Sequence, residues 1–371
     1  MGTLISNYYL KIIKDKANGI LIGLLFVSLL FPLFFYNHYD PMFRRYFFEE
    51  NLRMKEEVVH SLEEESEVHY HETSLKYLRE VLTAMNRGDQ EGELIAELNL
   101  EKTYLEETLA GRFIGLTVSE LEKNIAYLSY LVDEGIERVH PSQPYPPASN
   151  YWGELFLSSQ QVLTFLMINA LLFSNLFTSD KRHHDHELTH ISPVPLWKSL
   201  VASLFANFSF IFASWFVVIS LATLIAVSLN GLGAVNYPVA ILRGGDEVSV
   251  ISVSSFVMQN LLFVCCWLLL LGSLSFLLSL VSSNFMLNLV GSIVILTSNQ
   301  YTWLRGLIPQ GFQANTPFFY VDFSNVIIGG TEIVPLPLGN LTVTRGVSVL
   351  LGYSLCVLLI SVAVVKYRKR L

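Results

Sequence analysis

Charge is scarce in this 371-residue chain: 15% of residues are Asp, Glu, Lys or Arg, 52% are apolar, and mean hydropathy is +0.45. A chain so poor in charge cannot clothe a water-facing surface of its size, which excludes an ordinary soluble globule and leaves a membrane protein. Cysteine is nearly absent too. Cys265, Cys266 and Cys356 all lie within apolar runs, where cysteine acts as a small hydrophobe more often than as a ligand or bridge. The polar part of the chain must therefore stand without disulfides. No G-x-x-x-x-G-K-[ST] loop occurs, so the chain has no P-loop with which to hydrolyse ATP. Asp, Glu, Lys and Arg are missing from the apolar runs. Charges inside spans mark ion coupling, so their absence argues against an ion pump or secondary transporter. A net charge of −8 gives no reason to expect a nucleic-acid partner.

What charge there is falls unevenly. Residues 37–157 carry 24 acidic and 11 basic side chains, leaving 8 acids and 13 bases for the rest. One acidic, polar domain is thus set into an otherwise apolar chain. Residues 1–16 are amphipathic, with Leu4, Ile5, Tyr8, Tyr9, Ile12 and Ile13 at helical spacing among Lys11, Lys14 and Lys16, a pattern that lies along a membrane surface. Residues 17–36 read as an uncleaved first span. Residues 37–154 keep a helical period in their leucines, with breaks at Gly88, around Gly111 to Gly115 and at Gly135, and an N-cap at Thr117. That predicts a small helical bundle, closed by a Pro-rich linker from His140 to Asn150. Residues 155–179 form the second span. Residues 199–371 hold the remaining spans, with a polar loop at 230–248, a broken or re-entrant stretch at 299–340 and a basic C-terminus. The expected fold class is an all-α polytopic membrane protein of about six spans. Ten of the 13 bases outside the acidic domain fall at the two termini and in the central loop. The positive-inside rule then places both termini and that loop in the cytoplasm and the acidic domain outside.

The central loop, residues 180–198, is the most informative stretch, and it carries two competing patterns. His186-Glu187-Leu188-Thr189-His190 is a literal H-E-x-x-H, in which two His one helical turn apart bind zinc and the Glu acts as base. A zinc site of that kind needs a third protein ligand, and no second motif supplies it. Pro193 and Pro195 also interrupt the helix on which the motif depends. The second pattern is a charged segment, then Ser192-Pro193-Val194-Pro195, then Trp197-Lys198 opening a new apolar helix. A polytopic chain with neither its own ATPase motif nor an ion relay must borrow its energy, most simply from an ATPase docked on this loop.

In the order of its parts the chain resembles the membrane subunit of a type-2 ABC exporter. The loop after that family's second span has an acidic residue, an apolar-Ser-Pro-x turn and a Lys that opens the third span. Here Glu187 or Asp180, then Ile191-Ser192-Pro193-Val194, then Lys198 correspond. The resemblance implies a coupling helix built from Asp180, Glu187, Ile191, Ser192, Pro193, Trp197 and Lys198 that inserts into an ATP-binding subunit. It further implies a second permease, identical or related, as partner, with ATP and Mg held on the partner subunit and no cofactor or metal on this chain. Peptide or amphipathic export across a bacterial plasma membrane is the expected activity. The alternatives are an intramembrane zinc protease using His186, Glu187 and His190, and a receptor or scaffold whose external helices bind a ligand.

Overall fold

The structure is a computed structural model that describes residues 2–35, 41–61, 65–111, 115–139, 146–182, 195–243, 247–329 and 341–368. Five of its helices are long and apolar enough to cross a membrane, and the chain has the build of a multi-pass membrane protein.

Helix α1 (Gly2–Lys14) lies at an elbow to α2 (Lys16–Phe35). The acidic region then folds as four helices: α3 (Pro41–Ser61), α4 (Glu65–Arg87), α5 (Gln90–Leu109) and α6 (Val118–Glu134). Local chemistry sets their ends. Asp89 caps α5 by accepting from Gly92 N at 2.9 Å. Thr117 and Glu120 form a reciprocal capping box at the start of α6, and Gly135, at φ 60°, closes its other end in the left-handed region that costs other residues a Cβ clash. Leu78, Val81 and Leu100 fill the α3–α4–α5 core with Phe48, each adding about 1.5–3 kcal/mol by leaving water.

The expected extended linker and the start of the second span need correction. Ala148–Leu157 is a helix of its own, α7, and Ser158 turns to an extended backbone before α8 (Ser159–Arg182) begins. Helix α9 (Leu196–Asn230) follows. The stretch read as a loop at 230–248 holds instead an antiparallel hairpin, β1 (Pro238–Arg243) with β2 (Glu247–Ser252), in register from Pro238 opposite Ser252 to Arg243 opposite Glu247. Val239, Ile241, Val248, Val250 and Ile251 suit a pleated surface. The strand ends where Ser252 caps α10 (Val253–Val281) by accepting from Ser255 N at 3.2 Å.

Helix α11 (Phe285–Thr297) and the 3-10 turn Ser298–Gln300 extend about 26 Å at 1.5 and 2.0 Å per residue. Asn288 near the start of α11 meets Ser275 near the end of α10, and the 3-10 turn packs on the turn Pro317–Tyr320 beside the start of the last helix. The segment therefore runs from one end of the helical assembly to the other, although it is shorter than the five long helices. Short pieces, α12 (Thr302–Gly306), α13 (Gln310–Gln313) and α14 (Phe323–Ile328), precede α15 (Val343–Arg368). In this stretch Tyr320 and Phe323 are buried against Phe263 of α10, and Phe319 is buried as well.

Helices α8 and α10 form the centre, with α2, α9, α11 and α15 around them. Two helical glycines permit close approaches to aromatic rings. A Cβ on Gly272 would sit 2.5 Å from the Phe208 ring, and one on Gly346 would sit 2.6 Å from Tyr320.

Candidate functional site

The segment singled out by sequence is bracketed by the last turn of α8 and the first turn of α9. Asp180 lies in that last turn, and Trp197 and Lys198 lie in the first turn of α9. His186, Glu187, Ile191, Ser192 and Pro193 fall outside the described residues. Trp197 and Lys198 are both exposed, with Lys198 Nζ 5.6 Å from the Trp197 ring centroid. A 35-residue α9 is about 52 Å long, well beyond the ~30 Å hydrocarbon thickness. Such a helix is long enough to cross that layer with tilt and with turns to spare.

The brackets are held by α1 and its elbow to α2: α1, read from sequence as lying on the membrane surface, packs on α9, and the elbow holds α8. Tyr8 OH lies 2.8 Å from Ser199 Oγ, and Tyr9 OH donates to Ser209 Oγ, fixing α1 along the start of α9. At the elbow, Asn18 Nδ2 donates to Ile12 O at 3.0 Å. Asn175 of α8 donates to Asn18 Oδ1 at 2.8 Å and to Asp15 Oδ2 at 3.2 Å. A displacement of either bracket is thus shared with α1 and the other bracket. Asn18 and Asn175, polar residues in apolar runs, were the available sequence signal; the contacts themselves were not.

The zinc pattern itself lies outside the described residues. Among the described residues there is no group of three or more His, Cys, Asp or Glu that could hold a metal ion. Asp322, one possible third ligand, accepts from Ser159 Oγ at 2.9 Å at the opposite end of α8. Glu332 lies outside the described residues.

Comparison with protein-family models, with curated proteins and with solved structures finds no match.

At the far end of the long helices the acidic domain is docked on the hairpin. Leu94, Leu98, Leu128 and Leu131 pack on Tyr237 and Val253. Tyr237 OH meets Tyr127 OH and also accepts from Val139 N at 3.1 Å. Burial raises both phenols above their ordinary range, so both remain neutral hydrogen-bonding groups. Since β2 runs directly into α10, the domain is tied to a central helix through one short strand.

Inside the domain the charges are paired. Arg44 contacts Glu93 and Glu97, and Arg138 contacts Glu97 as well. Lys55 Nζ donates to Glu107 at 2.7 Å. Burial lowers the Lys55 ammonium from its ordinary value, against the pull of Glu107. The other Glu107 oxygen has no hydrogen-bond partner among the described residues, and His71 Nδ1 stands 4.0 Å from it. A groove of about 690 Å³ between α3 and α4 is lined by Glu56, His60, Glu72, Lys76, Arg79 and Glu80. Glu56 there is engaged by Arg79 at 2.7 Å.

Proposed function

We propose that this chain is the permease subunit of an ATP-binding-cassette exporter, worked by a separate ATP-binding subunit that docks between Asp180 and Lys198. One observation carries the reading: two long apolar helices converge on this segment, and the α1–α2 unit holds both near it, α1 on α9 through Tyr8 and the start of α2 on α8 through Asn18. A push there tilts α8 and α9 together, and a lever of that kind is what an external engine needs. The charge pattern supports it. No Asp, Glu, Lys or Arg lies in the interior of the five long helices; the charges on them sit near their ends. Lys11, Lys14, Lys16, Lys181, Arg182, Lys198, Lys366 and Arg368 gather toward one end of the helical assembly, which the positive-inside rule places in the cytoplasm.

The substrate class follows from the other end. An acidic helical domain outside, docked onto α10 through the hairpin, suits a cationic peptide or another amphipathic cargo. In this scheme a second permease completes the translocation path, and ATP with Mg acts on the partner chain.

The test is co-purification. The full-length chain is expected to bring down an ATP-binding protein, and replacing Ile191–Trp197 with a Gly/Ser linker is expected to release it while leaving the chain folded. Stoichiometric zinc in the purified protein, with proteolysis abolished by Glu187→Gln, would replace the transporter reading with the protease one.

A further inference from the structure

We propose that the first two turns of α3 are a membrane-surface anchor, which holds the acidic domain against the lipid headgroup layer. Met42, Phe43, Tyr46 and Phe47 form a contiguous stripe at i, i+1, i+4 and i+5. They are exposed by 69, 70, 61 and 54% respectively. Their helix otherwise belongs to a polar, acidic domain, in which four large apolar side chains facing water are out of place.

Two independent constraints put this stripe at the level of the bilayer surface. The first is chain length. Helix α2 is apolar to its end and its outer face, including Leu24, Val27 and Phe34, is uncovered by protein; the chain between Phe35 and Pro41 reaches at most about 20 Å. The second is the packing of the domain. On the inner face of the same two turns Arg44 is fastened to Glu93 and Glu97 of α5, and Phe48 is buried in the core. The neighbouring α5 residues Leu94 and Leu98 sit on Tyr237 and Val253, where α10 begins. Helix α3 is thereby pinned at the height at which α10 enters the apolar layer, with its exposed stripe turned away from the domain core.

The chemistry of the stripe fits that surroundings. Phenylalanine and methionine insert among acyl chain ends, tyrosine keeps its hydroxyl at the headgroups, and Arg45, in an exposed pair with Glu49 at 2.8 Å, lies next to lipid phosphate. This anchor depends on the chain being membrane-spanning and not on the identity of any energising partner, so failure of the exporter reading leaves it standing.

The experiment is spin-label depth measurement on the full-length protein in phosphatidylethanolamine/phosphatidylglycerol vesicles. Phe43→Cys is labelled in a background with Cys265, Cys266 and Cys356 replaced by alanine, and Glu57→Cys, farther along α3 and also exposed, serves as the water-facing reference. The expected result is a several-fold higher ratio of oxygen to water-soluble nickel-chelate relaxation at 43 than at 57. Equal access of the nickel chelate to both sites would overturn the anchor. Exclusion of both relaxants from position 43 would also overturn it, because protein, and not lipid, would then cover the stripe.

Discussion

The acidic domain and the long apolar helices solve the same problem, fastening elements across the sequence, with opposite chemistry. In the domain the fasteners are ions: Arg44 and Arg138 converge on Glu97, and Lys55 on Glu107. Between the long helices themselves they are neutral, with carboxylates engaged at the ends, at Asp15 and Asp322. Asn175 donates to Asn18 at 2.8 Å, Trp215 to Asn169 at 2.8 Å, Asn288 to Ser275 O at 2.9 Å, and Ser324 to Asn260. The difference teaches what each region has as solvent. Near water, an ion pair recovers part of its desolvation cost from the residual hydration around it. Inside an apolar layer that recovery is lost, and amides and hydroxyls give direction to the packing without net charge.

The largest expected effect comes from breaking an ionic fastener. Glu97→Ala leaves Arg44 with Glu93 alone and Arg138 without the Glu97 carboxylate, in a site where Glu97 itself is 7% exposed. It should destabilise the acidic domain by about 3 kcal/mol, read as a lowered thermal midpoint of the domain's tryptic protection. A near-silent Glu97→Ala would mean that the pairs are decorative.

Glu101 sharpens the contrast through pH. Burial raises its carboxyl to about 7, only partly opposed by the Asn124 amide at 3.5 Å. The folded domain thus keeps a proton that the unfolded chain releases near 4.5. The associated stability is complete below that lower value and is lost as pH rises through about 7. Between pH 5 and 8 the domain should weaken by about 1–2 kcal/mol after allowing for partial solvent access. Glu101→Gln should flatten that slope, as followed by unfolding midpoints at the two pH values.

The smallest effect belongs to the neutral fasteners. Asn288→Leu removes the bond to Ser275 O and the 3.5 Å contact with Ser174 Oγ, and should cost about 1 kcal/mol, since hydrogen bonds between membrane helices average less than that. Asn288→Asp tests the distinction: a buried charge there should cost far more than the deletion, in detergent and in vesicles alike.

Much of the domain was legible because its signals are local. Thr117 with Glu120, Asp89 before α5 and Gly135 after α6 mark helix ends within a few residues. The hairpin was not legible: each strand has six residues, and β2 passes straight into α10 with only the small Ser252, Ser254 and Ser255 at the junction. The boundary of the second span shifted for a similar reason, because Ser158 alone separates α7 from α8. The ionic fasteners and the clamp at α1 and its elbow were also unreadable, joining residues 41 to 200 positions apart. Of the candidate site, sequence located Trp197 and Lys198 at the exposed start of an apolar helix, and the structure adds what holds that start in place.

Sidedness tests the central claim most directly, because an engine that consumes cytoplasmic nucleotide must reach the α8–α9 segment from inside. Single cysteines at Trp197 and at Glu57, in the background with Cys265, Cys266 and Cys356 replaced by alanine, are treated in intact cells with a membrane-impermeant maleimide. Labelling at 57, with labelling at 197 only after the membrane is permeabilised, is the predicted result. Labelling at 197 in sealed cells would put the segment beyond the reach of any such partner and contradict the account.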